Sequence, residues 1–178
     1  MIILAPSNIW PEDMPTRIDE WFLKIKKDVV DRYQVSPRKI YLVGKEGGAH
    51  YAAYLGTKYP NEFSAVALLG GSWAGKFEKI IEPQSRPRRQ LPFFVALKDP
   101  DPDLLTETQQ KASQFEKKGY PVYLVQLGKD EEFDSDPFKQ KLLDWFDEKS
   151  AKWHERVEES KKSWKEKTSM AVEEFFHA

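Results

Sequence analysis

The chain of 178 residues is long enough for one domain with a substantial core and too short for two. Its 28 basic and 29 acidic residues leave a net charge of −1, which gives no electrostatic reason to expect a nucleic acid or an anionic membrane as partner. The sequence contains no cysteine, which excludes disulfides, thiolate metal sites and a cysteine nucleophile.

The first residues predict a buried strand, Ile2–Ala5, that ends at Pro6. This apolar run is too short for a signal-peptide core and has no basic leader, and no run in the chain approaches the about 20 residues of a membrane helix. A cytoplasmic location is therefore the default expectation. A chain that opens directly on a strand also indicates a piece of a longer protein.

Strands and helices alternate along the first four fifths of the chain. The apolar runs are nearly continuous, which is typical of strands buried on both faces of a parallel sheet. The predicted strands are Ile2–Ala5, Ile40–Val43, Ala65–Leu69, Phe93–Leu97 and Val122–Leu127. The predicted helices are Thr16–Gln34, Gly48–Tyr59 and Thr106–Lys118, the last with Thr106 and Gln109 in capping-box spacing. The pattern predicts an α/β fold, a three-layer sandwich around a five-stranded, mostly parallel sheet.

Two segments depart from this alternation. Residues 72–92 hold three prolines and the cluster Arg86, Arg88 and Arg89, and we interpret them as a solvated surface excursion rather than an anion site. After Pro137 the tail has no glycine or proline, so about 40 residues can form one helix of roughly 60 Å. Its apolar residues recur every 11 positions, which keeps them on one side of a nearly straight helix. They are Leu142, Trp153, Trp164 and Phe175 in one row, and Phe146 and Val157 in another.

The most informative stretch is a tight glycine-rich turn between the second strand and the second helix. Gly44-Lys45-Glu46-Gly47-Gly48 has the layout G-x-S-x-G of a nucleophile elbow, with Glu46 in place of the serine. It is preceded by Ser36-Pro37-Arg38-Lys39-Ile40-Tyr41-Leu42 and followed by Tyr59-Pro60-Asn61-Glu62-Phe63-Ser64-Ala65-Val66. In order and spacing these segments resemble the esterase branch of the α/β-hydrolase family, over about residues 1–147.

The resemblance implies a truncated α/β-hydrolase fold in which the catalytic triad is degenerate. The nucleophile position is Glu46, the acid position matches Asp99, and the histidine position falls in the segment around Asp130, which contains no histidine. Family members with an acidic nucleophile still need a histidine for the second step. The strand and loop that supply one oxyanion donor in the family are missing, so we expect Ile2–Ala5 to pair directly with the second strand.

We therefore divide the chain into an α/β-hydrolase-like domain, 1–147, and a C-terminal helical extension, 148–178. We expect a catalytically inactive, pseudo-esterase scaffold that associates with a protein partner or with itself. The interaction helix would present Trp153, Val157, Trp164 and Phe175, unless it folds back on its own domain.

Three alternatives stay open. One is a hydrolase with an unconventional site around Glu46. A second is a ligand pocket lined by Trp10 and Trp73. A third is a cation site formed by the acidic residues near the carboxyl edge of the sheet, which are Glu46, Asp99, Asp101, Asp103, Asp130, Glu131 and Glu132. Their spacing matches no calcium loop, so we favour pairing with solvent or with Lys45, Lys98 or Lys129, and we expect neither a bound metal nor a cofactor.

Overall fold

A computed structural model describes residues 14–36, 39–73, 90–149 and 151. In this part of the chain four parallel strands form one sheet in the order β1-β2-β3-β4. The strands are β1 (Tyr41–Lys45), β2 (Ala65–Leu69), β3 (Phe93–Lys98) and β4 (Val122–Leu127). The predicted first strand, Ile2–Ala5, and the arginine cluster at 86–89 lie outside the described residues, as do Trp10 and the tail residues Trp153, Val157, Trp164 and Phe175.

Four helices cover the two faces of the described sheet. They are α1 (Met14–Tyr33), α2 (Gly47–Lys58), α3 (Pro102–Lys117) and a final helix, α4, formed by residues 136–149. The first three lie on one face and α4 lies on the other, so the fold is a three-layer α/β sandwich. Among the described residues no helix is long and apolar enough to cross a membrane.

The strands match the predicted runs closely, but α3 begins four residues earlier than predicted. Its N-cap is Asp101, whose carboxylate accepts a hydrogen bond of 2.8 Å from the Leu104 amide, and Pro102 occupies the first helical position. The predicted capping box at Thr106 is therefore wrong. The Thr106 hydroxyl instead donates to the Pro102 carbonyl within the helix.

On the α2 face the core is formed mainly by aromatic and branched side chains. Trp73 stacks on Phe115 of α3 with 4.5 Å between ring centroids, and Phe93 of β3 lies edge-on to both. Trp73 is fully buried in this cluster. Its place in the core makes it a packing residue, which corrects the interpretation that it lines a ligand pocket.

On the α4 face the sheet presents small side chains to large ones. Ala65, Ala67 and Ala96 are completely buried beneath α4. Because these positions carry only a methyl group, the rings of α4 can approach the strands closely and fill the layer at the density of a protein interior. The rings that do so are Phe138, Trp145 and Phe146, together with Phe133 of the preceding loop.

Helix α4 runs across the sheet from one edge to the other. Phe138, near the start of the helix, packs on Phe133 beside the carboxyl edge of the sheet. Phe146, two turns later, stacks at 4.4 Å on Tyr41, the first residue of β1. Asp147 lies 3.8 Å from the ammonium group of Lys39, which precedes the strand. The helix has thus crossed the sheet from its carboxyl edge to its amino edge by residue 147.

Candidate functional site

The turn between β1 and α2 has the backbone conformation of an elbow. Glu46 has φ 53° and ψ −121°, a region that a residue with a side chain adopts only under strain. Its amide donates to the Leu69 carbonyl of β2 at 2.7 Å, and its carbonyl accepts from the Ala49 amide at 2.9 Å. The glutamate therefore occupies the apex of the turn, at the carboxyl edge of the sheet.

One glycine of the elbow is fixed by close packing. A Cβ added to Gly44 would lie 2.1 Å from the Gly48 carbonyl oxygen and 2.8 Å from the Ala49 Cα atom. The first turn of α2 thus rests directly on the backbone of β1. By contrast, a Cβ at Gly47 or Gly48 would meet no atom within 4 Å, so these glycines are not required by crowding.

The stem of Glu46 lies beside Gly70, which follows β2 with φ +71°. A Cβ built on Gly70 would be 3.6 Å from Glu46 Cγ and 3.3 Å from the ring of Phe133. The Phe133 side chain is itself buried against Phe138. The loop after β4, which carries the histidine in hydrolases that the sequence resembles, here brings a phenylalanine next to the apex.

Ion pairs join the loop after β4 to the carboxyl ends of β1 and β3. Lys45 binds Asp134 at 3.0 Å, Lys98 binds Glu132, and Lys129 lies 3.8 Å from Asp99. The hydrogen bond with Asp134 and its negative charge raise the pKa of Lys45, with smaller contributions from Glu46 and Glu132. Asp99 and Glu132, two of the acidic residues predicted at this edge, thus have lysine partners, and so does Asp134.

The two other predicted triad positions are solvent-exposed carboxylates. Asp99 has φ 40°, and its amide donates to the Leu127 carbonyl at 3.0 Å. Asp130 lies in an exposed turn, which Glu131 closes by accepting from the Gly128 amide at 2.7 Å. Within the described ranges no three acidic or histidine side chains come together as a metal-ligand set.

His50 lies one helical turn after Glu46, and its ring is held by the backbone. Its Nδ1 lies 2.9 Å from the Ser72 carbonyl oxygen, so that nitrogen must carry the proton that it donates. The described contacts include no hydrogen bond between His50 and the Glu46 carboxylate. His154 and His177 lie outside the described residues.

A buried polar cluster, which the sequence analysis missed, joins α1 to α2. The Asp19 carboxylate, 1% exposed, accepts from Tyr54 and Lys58 at 2.7 Å each, and from Tyr59 and Tyr51 at 3.2 and 3.3 Å. Burial and the negative charge of Asp19 raise the pKa of Tyr51. Burial by itself lowers the pKa of Lys58, but its hydrogen bonds with Asp19 and the tyrosines outweigh this and raise it. We call this group the Asp19 cluster.

The sequence held one signal for this cluster. Tyr51, Tyr54 and Lys58 recur at intervals of three and four residues and so share one face of α2. Nothing in the sequence of α1 marks Asp19 as their partner, because the contact joins residues 32 to 40 positions apart.

No protein-family model and no curated protein matches the chain. Solved structures do match its fold. A thermostable esterase is 20% identical with a TM-score of 0.55, over 75% of this chain and 37% of that one. MGS-M1, an α/β-hydrolase enzyme from a Medee basin deep-sea metagenome library, is 17% identical with a TM-score of 0.58, over 79% and 68%. The Bacillus cereus carboxylesterase is 16% identical with a TM-score of 0.55, over 74% and 59%.

The chain has an α/β-hydrolase-like fold, in which helices flank a parallel sheet. It spans little more than a third of the thermostable esterase and about three fifths of the carboxylesterase. At these identities the likeness establishes the fold and leaves activity to the residues of the site.

Proposed function

We propose that this chain is a catalytically inactive α/β-hydrolase-like domain that acts in protein association through its C-terminal extension. The proposed lack of catalytic activity rests on the residue at the apex of the elbow. Glu46 occupies the position of the nucleophile, and among the described residues no histidine forms a hydrogen bond with its carboxylate.

Acyl transfer by this type of site needs three functions in one place. A nucleophile must be activated by a base, the base must be oriented by a third group, and the base must later activate water. A carboxylate at this position could attack an alkyl carbon and expel a leaving group without a base, but the ester so formed would persist, because its hydrolysis needs a base to activate water. Lys45, Lys98 and Lys129 bind carboxylates, and His50 donates from Nδ1 to a backbone carbonyl. These contacts support a structural role for the edge rather than a catalytic one.

The proposed protein association rests on the apolar pattern of α4, which the sequence continues into the extension. Leu142 and Phe146 pack on the sheet, and α4 reaches the amino edge at Asp147. The sequence repeats these two positions 11 residues later as Trp153 and Val157, a spacing that keeps apolar residues on one side of a helix. Large apolar side chains at such spacing favour burial against another protein surface.

An esterase assay tests the proposed lack of activity. Purified chain and a Glu46→Gln variant are each incubated with short-chain aryl esters, and Asp130→Asn serves as control because Asp130 is an exposed carboxylate of the same edge. We expect all three to match the rate in buffer alone. Turnover that is present in the unchanged chain and in Asp130→Asn, but lost in Glu46→Gln, would establish a hydrolase instead.

Sedimentation of the full chain tests whether the extension mediates association between copies of this chain. We expect Trp164→Glu, a charge in the apolar stripe, to lower the mass of the assembly by about half or more. Lys161→Glu, a change of charge among the polar positions of the same segment, should leave the mass unchanged. Equal masses for the unchanged chain and both variants would exclude the extension as a self-association surface.

A further inference from the structure

The first strand of the described sheet, β1, has one open edge. The amide of Glu46, the residue that follows β1, donates to the Leu69 carbonyl of β2 at 2.7 Å. The amide and carbonyl of one residue point to the same side of a strand, and the side alternates along the chain. The even-numbered residues of β1 therefore bond β2, whereas the backbone groups of Val43 and Lys45 point away from it. No described strand pairs with them.

The hand of the connections shows on which side of β1 the preceding strand lies. Helix α2 joins β1 to β2 and α3 joins β3 to β4, and both contribute to the same core layer as α1, on one face of the sheet. Connections between parallel strands are right-handed in almost all proteins, so helices on one face carry the chain across the sheet in one direction. A strand that leads into α1 therefore lies on the side of β1 away from β2, at the open edge.

One side of α1 has apolar side chains that the described sheet covers incompletely. Phe22, Ile25 and Val29 share this side of the helix. Phe22 packs against the described core, whereas Ile25 and Val29 are partly exposed outside it, and Trp21 at the margin of this side is 49% exposed. The opposite side of the helix is exposed and charged, with Glu20, Lys24, Lys27 and Asp31. The apolar side therefore faces the plane of the sheet and extends beyond the area that β1 covers.

A strand at the open edge would need apolar residues on both of its faces. One face would lie beneath α1. The other would lie beside Val43, which is on the same face of β1 as Tyr41, the residue that packs on α4, and is 50% exposed. The N-terminal run Ile2–Ala5 meets this requirement, because it has four consecutive apolar residues.

The direction of α1 also suits a parallel strand before it. Asp19 accepts a hydrogen bond from Tyr51, near the start of α2, whereas Lys26, two turns later, donates to the Glu62 carbonyl beyond the end of α2. Helix α1 thus runs in the same direction as α2, from the carboxyl edge of the sheet towards its amino edge. A parallel strand ends at the carboxyl edge, which is the edge from which α1 begins.

The chain between this run and α1 is long enough for the connection. The eight residues 6–13 separate Ala5 from Met14, the first residue of α1. At about 3.3 Å per residue they can span roughly 26 Å, whereas packed layers lie only about 10 Å apart. The run Ile2–Ala5 can therefore reach the open edge of β1 in the same copy of the chain.

We propose that Ile2–Ala5 occupies the open edge of β1 as a fifth, parallel strand, beneath α1 and beside Val43. Whether its odd or its even residues face β1, two of the four bond the backbone groups of Val43 and Lys45. Resemblance led only to the expectation of pairing, whereas the described fold supports a side, a direction and the neighbours on both faces. Ala5 then ends beside Lys45, so the loop 6–13 begins next to Glu46 at the elbow. The proposal does not depend on the inactivity or the association proposed above.

Residue-resolved amide exchange of the full chain tests the pairing. The outward amides, those of Val43 and Lys45, should exchange at least about a hundredfold more slowly than in an unfolded peptide, because the added strand supplies their acceptors. The reference amides, those of Leu42 and Gly44, bond β2 and should be protected in any case. Protected reference amides together with outward amides that exchange as in an unfolded peptide would overturn the proposal.

Two double variants test which segment protects the outward amides. Ile3→Asp with Leu4→Asp places one carboxylate on each face of the proposed strand, where burial of a charge is unfavourable. It should speed the exchange of the outward amides by about tenfold or more and leave the reference amides protected. Ser7→Asp with Asn8→Asp adds the same two charges to the loop 6–13 and should leave all four amides as in the unchanged chain. Equal exchange of the outward amides in the two variants would overturn the proposal.

An isotope mixture decides whether the strand comes from the same copy. In uniformly labelled chain, nuclear Overhauser contacts should join the outward amides to Ile2–Ala5. In a co-refolded equal mixture of copies labelled with heavy nitrogen and copies labelled with heavy carbon, no such contact should join one kind of copy to the other. Contacts between copies would assign the edge to the N-terminal run of a second copy and overturn the proposal. The absence of these contacts from the uniformly labelled chain would overturn it as well.

Discussion

Removal of the Asp19 carboxylate should be among the most destabilising single changes in the described part of the fold. This carboxylate is buried between α1 and α2 and accepts four hydrogen bonds. In Asp19→Ala the hydroxyl of Tyr54 and the ammonium of Lys58 lose the carboxylate that accepts from both, although Lys58 still donates to Tyr54, and the two helices lose this polar link. The perturbation leaves the elbow and the sheet untouched.

The size of the effect follows from the two short bonds. Hydrogen bonds to a charged group contribute about 1.5–3 kcal/mol each, so those from Tyr54 and Lys58 account for most of the interaction. The Lys58 side chain is 40% exposed and recovers part of its solvation in the variant, which reduces the loss. We expect the free energy of unfolding to fall by about 3–5 kcal/mol, a large part of the about 5–15 kcal/mol of a typical domain. Asp19→Asn, which keeps one carbonyl acceptor, should cost about half as much.

Urea denaturation followed by tryptophan fluorescence and far-ultraviolet circular dichroism measures these differences. The control is Asp28→Ala, because Asp28 is an acidic residue of the same helix that forms only an exposed pair with Arg32 at 2.9 Å. Its loss should change stability by no more than about 0.5 kcal/mol. If Asp19→Ala costs less than about 1 kcal/mol, or no more than the control, the cluster does not hold α1 on α2 and the reasoning fails.

Two further predictions concern the elbow and the response to alkali. Gly44→Ala should destabilise the fold by at least about 3 kcal/mol or prevent folding, because the new methyl group would lie 2.1 Å from the Gly48 carbonyl oxygen. At Gly47 a methyl group would meet no atom within 4 Å. Gly47→Ala should therefore be neutral or stabilising by up to about 1 kcal/mol in the same urea titration. Above pH 10.0, the ordinary pKa of tyrosine, the unfolded chain loses protons that Tyr51 retains in the folded state, so stability should fall as the pH rises. Urea midpoints measured from about pH 8 to about pH 11 should show this decline, and a Tyr51→Phe variant that declines just as steeply would contradict the assignment.

The strands could be predicted from the sequence because their residues are mostly apolar. Ala65–Leu69 and Val122–Leu127 match the structure at both ends, since each run ends at a glycine and coincides with a strand of the sheet. β1 continues two residues past its predicted end, to Lys45. Gly44 and Lys45 pair with Leu68 and Leu69, and this pairing depends on a strand more than twenty residues later.

The composition of the site was visible in the sequence, but its contacts were not. The motif identified the turn and its Glu46, because glycine spacing is a local property. The sequence did not single out Phe133, since a lone aromatic in an acidic loop gives no indication that it packs beside Gly70. The pairing of Lys45 with Asp134 likewise joins residues 89 positions apart. Partners of this kind are set by the arrangement of the strands, which periodicity does not reveal.

The strain at Glu46 follows from packing and needs no catalytic explanation. A positive φ at a residue with a side chain costs about 1–3 kcal/mol and persists only where the surroundings enforce it. Here α2 must begin directly on the backbone of β1, with the Gly48 carbonyl against Gly44, and the bonds from Glu46 to Leu69 and Ala49 fix the direction of the turn. Relaxing φ would move the whole of α2 away from β1 and β2 and would expose the side chains that are buried between them. The conformation of the elbow is thus accounted for by the way in which this strand joins this helix.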